Sequence, residues 1–462
     1  MFTLRLLKIK IHSRRVFMFK RCLPIFAFLL ASVMIVWPAF VEEKEKFSVA
    51  VPSLNVKEGG GVDMEDVKFF SKDKRNNPLN VIAQTVQEID SAKKILKLNS
   101  PKATYKTADN ILLTSVCPYA LAFQNEKYLY FEEEVFSSTD TGYDALSKKV
   151  NYDYDLNTIS SDDEVFVKGP AGMLKAVGFY IANKGERIDF KGKTKTLLFE
   201  KELDLKKVKD LSFDKQDAYF KKNKNHILIT SEDGLLINQT LNTITAIKNA
   251  HIYQKNDHIK AEKIVLTYKK DAYNKNQIVK AEGYTKVQAF QDAKTVQAEK
   301  MVMYKEKDEV KEVLKDLKKY PEVVLPQTVF ELLYLEKDAL VKENSQLILA
   351  DKMYVLYKNT PTAQKSEPQV DKMVAVGHVK ASNGQNRIHG DLGIYDPKTK
   401  TIDLYGHVSL YQGNSRLDGT WANMNLQTGL SSLKAYDEKD KTQTRVKGSL
   451  IPADFEKESE EK

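Results

Sequence analysis

Between Met373 and Asn425 apolar and polar residues alternate so regularly that the segment has few ways to fold. Ile402, Leu404, Gly406, Val408 and Leu410 share one parity, and Asp403, Tyr405, His407, Ser409 and Tyr411 hold the other. A period of two is that of an antiparallel strand with one face buried and one wet. A slip of one residue would turn the whole apolar set to solvent, so the pattern itself specifies the register.

The unit repeats. Val-Gly-His-Val at 376–379 returns as Tyr-Gly-His-Val at 405–408, and each is followed by a polar turn and a second alternating run. Looser copies occupy 246–268 and 280–304, and the second half of the unit reappears at 347–357. Self-similarity of this kind describes hairpins stacked edge to edge, each burying its apolar face with its neighbours. The recurring Gly-[His/Asn]-Val, followed by Ala-[Asp/Glu]-[Lys/Arg] and an apolar residue, resembles the periplasmic lipopolysaccharide-transport protein LptA of the OstA-like family. That family usually carries Asn where His378 and His407 stand.

Upstream, residues 1–21 are basic and Cys22 to Val41 carries no charge. About 20 apolar residues suffice to span roughly 30 Å of hydrocarbon, and the basic flank puts the N-terminus in the cytoplasm. Trp37 and Leu29, two residues before Ala39 and Ala31, are too bulky for a small-residue cleavage site, which favours an anchor over a signal peptide. Residues 42–63, with Gly59-Gly60-Gly61, read as a flexible tether. Residues 64–200 read as a first β-domain of alternating strands, with 95–107 taken as one strand. Gly169-Pro170-Ala171-Gly172 followed by Leu174, Ala176 and Gly178 resembles the closing segment of LptC, the membrane-anchored partner of LptA. A linker is expected at 201–225, an LptA-like domain at 226–452 and a charged tail at 453–462. Within the second domain, Val310, Val313, Leu314 and Leu317 predict a surface helix over 305–320, residues 360–371 read as a loop, and the repeat at 328–357 lacks the Gly-His-Val core.

The expected fold class is therefore all-β: two antiparallel β-jellyroll (β-taco) domains with an open apolar groove, preceded by one transmembrane helix. Net charge is +9, from 72 Lys and Arg against 63 Asp and Glu, spread over polar strands rather than gathered in one patch. With no nucleic-acid-binding signature present, that charge does not argue for nucleic acid. No catalytic or cofactor motif occurs, and no enzyme activity, cofactor or metal is expected. Cys117 is the one thiol outside the predicted span and has no base beside it in sequence, so it reads as a small buried hydrophobe. His378 and His407 recur at equivalent places without a recurring third ligand, which favours surface imidazoles over a metal site. Glu262, Glu299, Asp351 and Asp391, each after Ala or Gly, read as turn or edge residues.

What such a sheet can do is physical. If it curls, one parity lines a groove: Ile244, Ala246, Ala250, Ile252, Ile259 and Ala261, then Met373, Ala375, Val379, Ile388, Leu392, Ile394, Leu404, Val408 and Leu410. An acyl chain of about a dozen methylenes costs roughly 10 kcal/mol to expose to water, and small residues such as Ala246 and Ala250 would leave room for one. The family resemblance implies a natural fusion of LptC-like and LptA-like proteins, anchored in the inner membrane, that shields the acyl chains of lipopolysaccharide. It implies an LptB–LptF–LptG ABC transporter on one side and an LptD-containing outer-membrane translocon on the other. The alternative is a membrane-anchored structural or adhesive β-repeat protein without lipid cargo. An edge of the first domain, 187–198, is expected to pair with an edge of the second, 227–237.

Overall fold

Antiparallel pairing carries the chain from its first described strand to its last. The structure, a computed structural model, describes residues 48–50, 54–56, 62–72, 78–106, 110–153, 155–199, 226–270, 276–326, 329, 331–360, 367–413, 415–436 and 443–449. The expected membrane span, basic N-terminus, linker and charged tail lie outside them. Among the described residues no helix is long and apolar enough to cross a membrane. Part of the expected tether is strand: Ser48–Ala50 and Leu54–Val56 both pair with Val62–Lys72. They give that strand partners on both halves, at 68–70 and at 62–64.

From Thr243 onward the sheet is an up-and-down meander. Thr243–Gln254, Asp257–Lys270, Asn276–Gln291, Lys294–Tyr304, Glu331–Glu343, Gln346–Thr360, Glu367–Ser382, Asn386–Asp396, Thr401–Gln412 and Ser415–Asn425 follow one another, each paired with the next. The segment at 328–357 thus joins the array without a Gly-His-Val core. Of the expected loop at 360–371 the described residues, 360 and 367–371, are strand, and Thr360 pairs with Glu367.

A crease runs across the middle of this meander. On alternate strands two consecutive residues bulge, with positive φ at Lys248 and Asn249, Thr285 and Lys286, Lys337 and Asp338, Gly377 and His378, and at Gly406 beside His407. The pairing register shifts at each of them. A bulge adds a residue to one strand only and bends it. Inward-facing residues on a bulged strand are consequently four apart across the crease, as in Ala246 and Ala250, Ala375 and Val379, or Leu404 and Val408. On the strands between, they are three apart, as in Ala261 and Ile264, Ala298 and Met301, or Ala350 and Met353. The Ala-acid-base unit of the sequence is therefore the outer side of a fold line. Its acidic residues sit in mid-strand, not at turns or edges.

The first half is folded along the same line by different means. Tyr128–Thr139 carries a bulge at Glu133 and Glu134, but most neighbouring levels are broken into two short strands. The single strand expected at 95–107 is two, Ile95–Asn99 and Lys102–Lys106, parted at Ser100-Pro101; Cys117-Pro118 parts Leu112–Val116 from Tyr119–Phe123. Proline cannot donate to a ladder and falls naturally in such a break. Buried hydroxyls satisfy one another where strands part: Ser147 with Ser161 at 3.1 Å and Thr194 with Ser231 at 2.6 Å. Ser231 Oγ also donates to the Gly234 carbonyl at 2.7 Å.

The two halves share one sheet. Thr194–Leu198 pairs with Ile227–Ser231, and Arg187–Lys191 pairs with Leu235–Asn238, so both leaves continue through the junction. In a Cys117→Ser background, cysteines replacing Lys195 and Thr230, which are Cα partners, should crosslink within one chain under mild oxidation. A crosslink formed only between chains would instead reveal a swapped dimer.

Outside the crease, the helix Lys307–Leu314 and the 3-10 turn Lys315–Lys319 lie on the convex face, close to the span read from the sequence. Val310, Leu314 and Leu317 are buried against Leu332, Tyr354, Leu356, Val374 and Leu392 in a cluster separate from the main core.

Candidate functional site

Folding a sheet along a line makes a trough, and the sequence sets its cross-section. Small residues gather at the vertex, where the leaves converge: Ala246, Ala250, Ala261, Ala339, Ala350 and Ala375 are all at most 2% exposed. Their short side chains let the leaves converge closely there.

Farther from the vertex each leaf carries an apolar rail, built from residues directly opposite one another on successive strands. On one leaf Ile159, Ile181, Ile188, Ile237 and Ile244 are cross-strand neighbours in that order. The same line continues through Leu266, Ala281, Met303, Leu333, Val355, Met373, Tyr395 and Ile402 to Met424. On the other leaf Ile229, Ile252, Ile259, Ala289, Val296, Val341 and Ile348 run in register, and Ala381 and Ile388 lead on to Leu410. From Ile159 to Val341 most rail residues are half-buried, so the mouth of the trough presents branched aliphatic side chains. Toward the C-terminus the trough fills: Ile388, Ile402, Leu404 and Met424 have no exposed surface.

Of the fifteen residues expected in the groove, thirteen face inward or sit on the rails. Ile244, Ile252, Ile259 and Leu410 are half-buried on the rails, while Ala246, Ala250, Ala261, Met373, Ala375, Val379, Ile388, Leu404 and Val408 are buried in the main core. Leu392 and Ile394 do not belong with them. Leu392 packs under the outer helix, and Ile394 is opposite Val374, another member of that outer cluster. Simple alternation from Ile388 fails because the inward positions step from Gly390 to Gly393 at the crease. Gly406, counted with the apolar parity, is exposed in the bulge with φ +95°. Ser409, expected on the wet face, is buried and donates its hydroxyl to Asp418 Oδ1 at 2.6 Å. The rail residues of the first half were readable from the same alternation, as in the Arg187–Lys191 strand, but no repeat motif drew attention to them.

Along the convex side of the crease, each Gly-His bulge is pinned by a carboxylate. His378 Nδ1 and Asp351 Oδ2 are 2.8 Å apart, as are His407 Nδ1 and Asp391 Oδ2, and Asp391 Oδ2 also accepts the His407 backbone N–H at 3.1 Å. Burial alone would raise the Asp391 carboxyl, but these bonds from His407 outweigh it and hold the group below its usual value. Among the described residues no group of three or more potential metal ligands converges. Cys117 is buried, its thiol pushed up to about 11 chiefly by burial, as a structural thiol should be.

The remaining titratable feature is a histidine pair on the outer face. His251 Nδ1 and His258 Nε2 are 2.8 Å apart, and both rings stack in line with Tyr253. Burial first, and Lys260 among the further causes, lowers both imidazoles below the ordinary histidine value. Below pH 6.5 the unfolded chain therefore binds more protons than the folded one, and stability falls as pH drops through that region. The urea midpoint is expected to fall between about pH 7 and pH 5, and to fall less when both histidines are replaced by Gln. Equal slopes for the two proteins would contradict it.

Residues 338–430 match the family model of the LptA/(LptD N-terminal domain) LPS transport protein, so this part of the chain is similar to that family. Among solved structures the chain is similar to LptH, described as the LptA homologous periplasmic component of the conserved lipopolysaccharide transport device from Pseudomonas aeruginosa. The identity is 12%, over 26% of this chain and 85% of that one, with a TM-score of 0.21. No curated protein matches.

Proposed function

We propose that this protein is a periplasmic conduit for lipopolysaccharide, holding acyl chains between its two apolar rails and leaving the saccharide outside. The observation that carries this is the continuity of one rail: Ile188 is directly opposite Ile237, so aliphatic side chains run on through the junction on that leaf, while on the other leaf Ile229 is opposite Thr196. The family similarity at 338–430 supports the same reading. In it, residues 22–41 anchor the chain in the inner membrane, and residues 1–200 act as the LptC-like half of a fusion. The N-terminal edge receives cargo from an LptB–LptF–LptG transporter, and the C-terminal edge passes it to an LptD-containing translocon. A conduit of this kind does no chemistry and draws its energy from the transporter.

A second reading, a structural β-repeat protein without cargo, is favoured by the filled interior around Leu404 and Met424. Mass spectrometry of lipid extracted from the purified full-length protein separates the two. Acylated glycolipid in stoichiometric amounts supports the conduit, and a lipid-free protein that also fails to take up added lipopolysaccharide sinks it.

A further inference from the structure

On the convex face of the first half, away from the trough, four adjacent strands build a floor divided into two unlike parts. Tyr119–Phe123 and Tyr128–Thr139 supply Phe123, Tyr128 and Tyr130, while Asp144–Asp153 and Thr158–Ser161 supply Asn151, Thr158 and Ser160. Cross-strand register sets them in rows: Tyr130 is opposite Asn151, which is opposite Ser160, and Tyr128 shares its row with Thr158 through Asp153. Large rings beside short polar side chains leave a step, and the step is a depression of about 550 Å³ lined by these residues together with Leu121 and Asp153.

The ring of Tyr128 stacks on Phe123, with centroids 4.4 Å apart and planes 17° from parallel. That packing stiffens the ring, and both residues line the depression. The side chains of Asn151, Thr158 and Ser160 make no hydrogen bond among the described residues. Asp153 Oδ1 accepts the backbone N–H groups of Asp155 and Leu156, which fixes the floor at that corner, and among the described residues Oδ2 makes no hydrogen bond.

We propose that this depression binds a pyranose of a glycan. A sugar ring has an apolar C–H face and a rim of hydroxyls that both donate and accept. The stacked Tyr128 and Phe123 offer rigid aromatic surface for the first, and the floor offers an amide, two hydroxyls and a carboxylate oxygen for the second. An extended peptide would need an unpaired strand edge, and these four strands are paired within the sheet. A lipid chain would leave the polar half of the floor unmatched. The site is on the opposite face from the rails, so it does not depend on acyl-chain binding.

The test is saturation-transfer NMR and calorimetry on the full-length protein, with acyl-free lipopolysaccharide oligosaccharide and chitotriose as probes. Binding of the first alone assigns the site to the headgroup of the proposed cargo, and binding of chitotriose assigns it to a free glycan. Tyr128→Ala and Asn151→Leu should each weaken binding at least tenfold, Tyr128→Phe should stay within about threefold, and Lys260→Asp, in the second half and outside both sites, should leave probe binding unchanged. Tyr128→Leu, which keeps apolar volume under the sheet, guards against a folding defect and should behave like Tyr128→Ala. No binding of either probe below about 10 mM, or binding that survives both Tyr128→Leu and Asn151→Leu, overturns the assignment.

Discussion

An Ile259→Asp variant is expected to fold and to lose its acyl cargo. Ile259 is half-buried on a rail, opposite Ile252 on one side and Ala289 on the other. At the mouth of the trough a carboxylate can keep part of its hydration, so the cost to folding should be modest, about 1–2 kcal/mol. A bound acyl chain would have to strip that hydration or leave a gap in its own burial, and an unpaired buried charge costs far more than the contact it replaces. Lys260→Asp, one residue along and pointing outward, should leave bound lipid unchanged. Leu404→Asp is a different experiment: with no exposed surface, it should cost on the order of 4 kcal/mol or more and prevent the second half from folding. Lipid measured by mass spectrometry against protein, alongside urea midpoints, distinguishes these outcomes. Equal lipid on wild type and Ile259→Asp would show that cargo does not run along the rail.

The crease gives the second large effect. Gly377 and Gly406 hold φ of +79° and +95°, and a Cβ at either would overlap the carboxylate of Asp351 or Asp391. A β-branched residue adds about 1–2 kcal/mol of backbone strain there. It also drives the carboxylate off the histidine, forfeiting bonds worth roughly 1–3 kcal/mol. Gly406→Val should therefore lose about 3 kcal/mol. Lys248→Gly, where φ is +61°, should be close to neutral because relief of strain offsets chain entropy. Both are measured by equilibrium denaturation of the full-length protein, and a Gly406→Val loss under about 0.5 kcal/mol would show that the bulge does not need glycine.

Much of this architecture was legible in the sequence, and the failures have one cause. Alternation located the strands of the meander, because a half-buried antiparallel strand leaves no other pattern. It also placed Ile244, Ile252, Ile259 and Leu410 on the inner face. It could not show that the inward phase slips by one residue at each Ala-acid-base unit, since the slip is imposed by a bulge on the neighbouring strand. Leu392 and Ile394 were lost to that slip. For the same reason Asp351 and Asp391 looked like turn residues: their partners, His378 and His407, belong to other strands. The helix at 307–314 was visible from Val310, Val313, Leu314 and Leu317. Its burial of Leu392 was not, because nothing local says which face of a sheet a helix will cover. The broken strands of the first half were hidden by continuous alternation, as at 95–107, where one proline marks the corner.

A sheet that is creased along a line, yet paired strand to next strand, behaves as a ruler. Each hairpin of the meander advances the trough by two strand spacings, about 9.6 Å. Its interactions are with the hairpins beside it, so an inserted or deleted hairpin that keeps one bulged and one unbulged strand would alter length while leaving the rails in register. With roughly 20 strand levels the trough measures about 100 Å. The length of the trough is thus written as a number of repeats. Selection on that length would act on hairpin count, leaving the chemistry of each hairpin free to drift within apolar-in and polar-out.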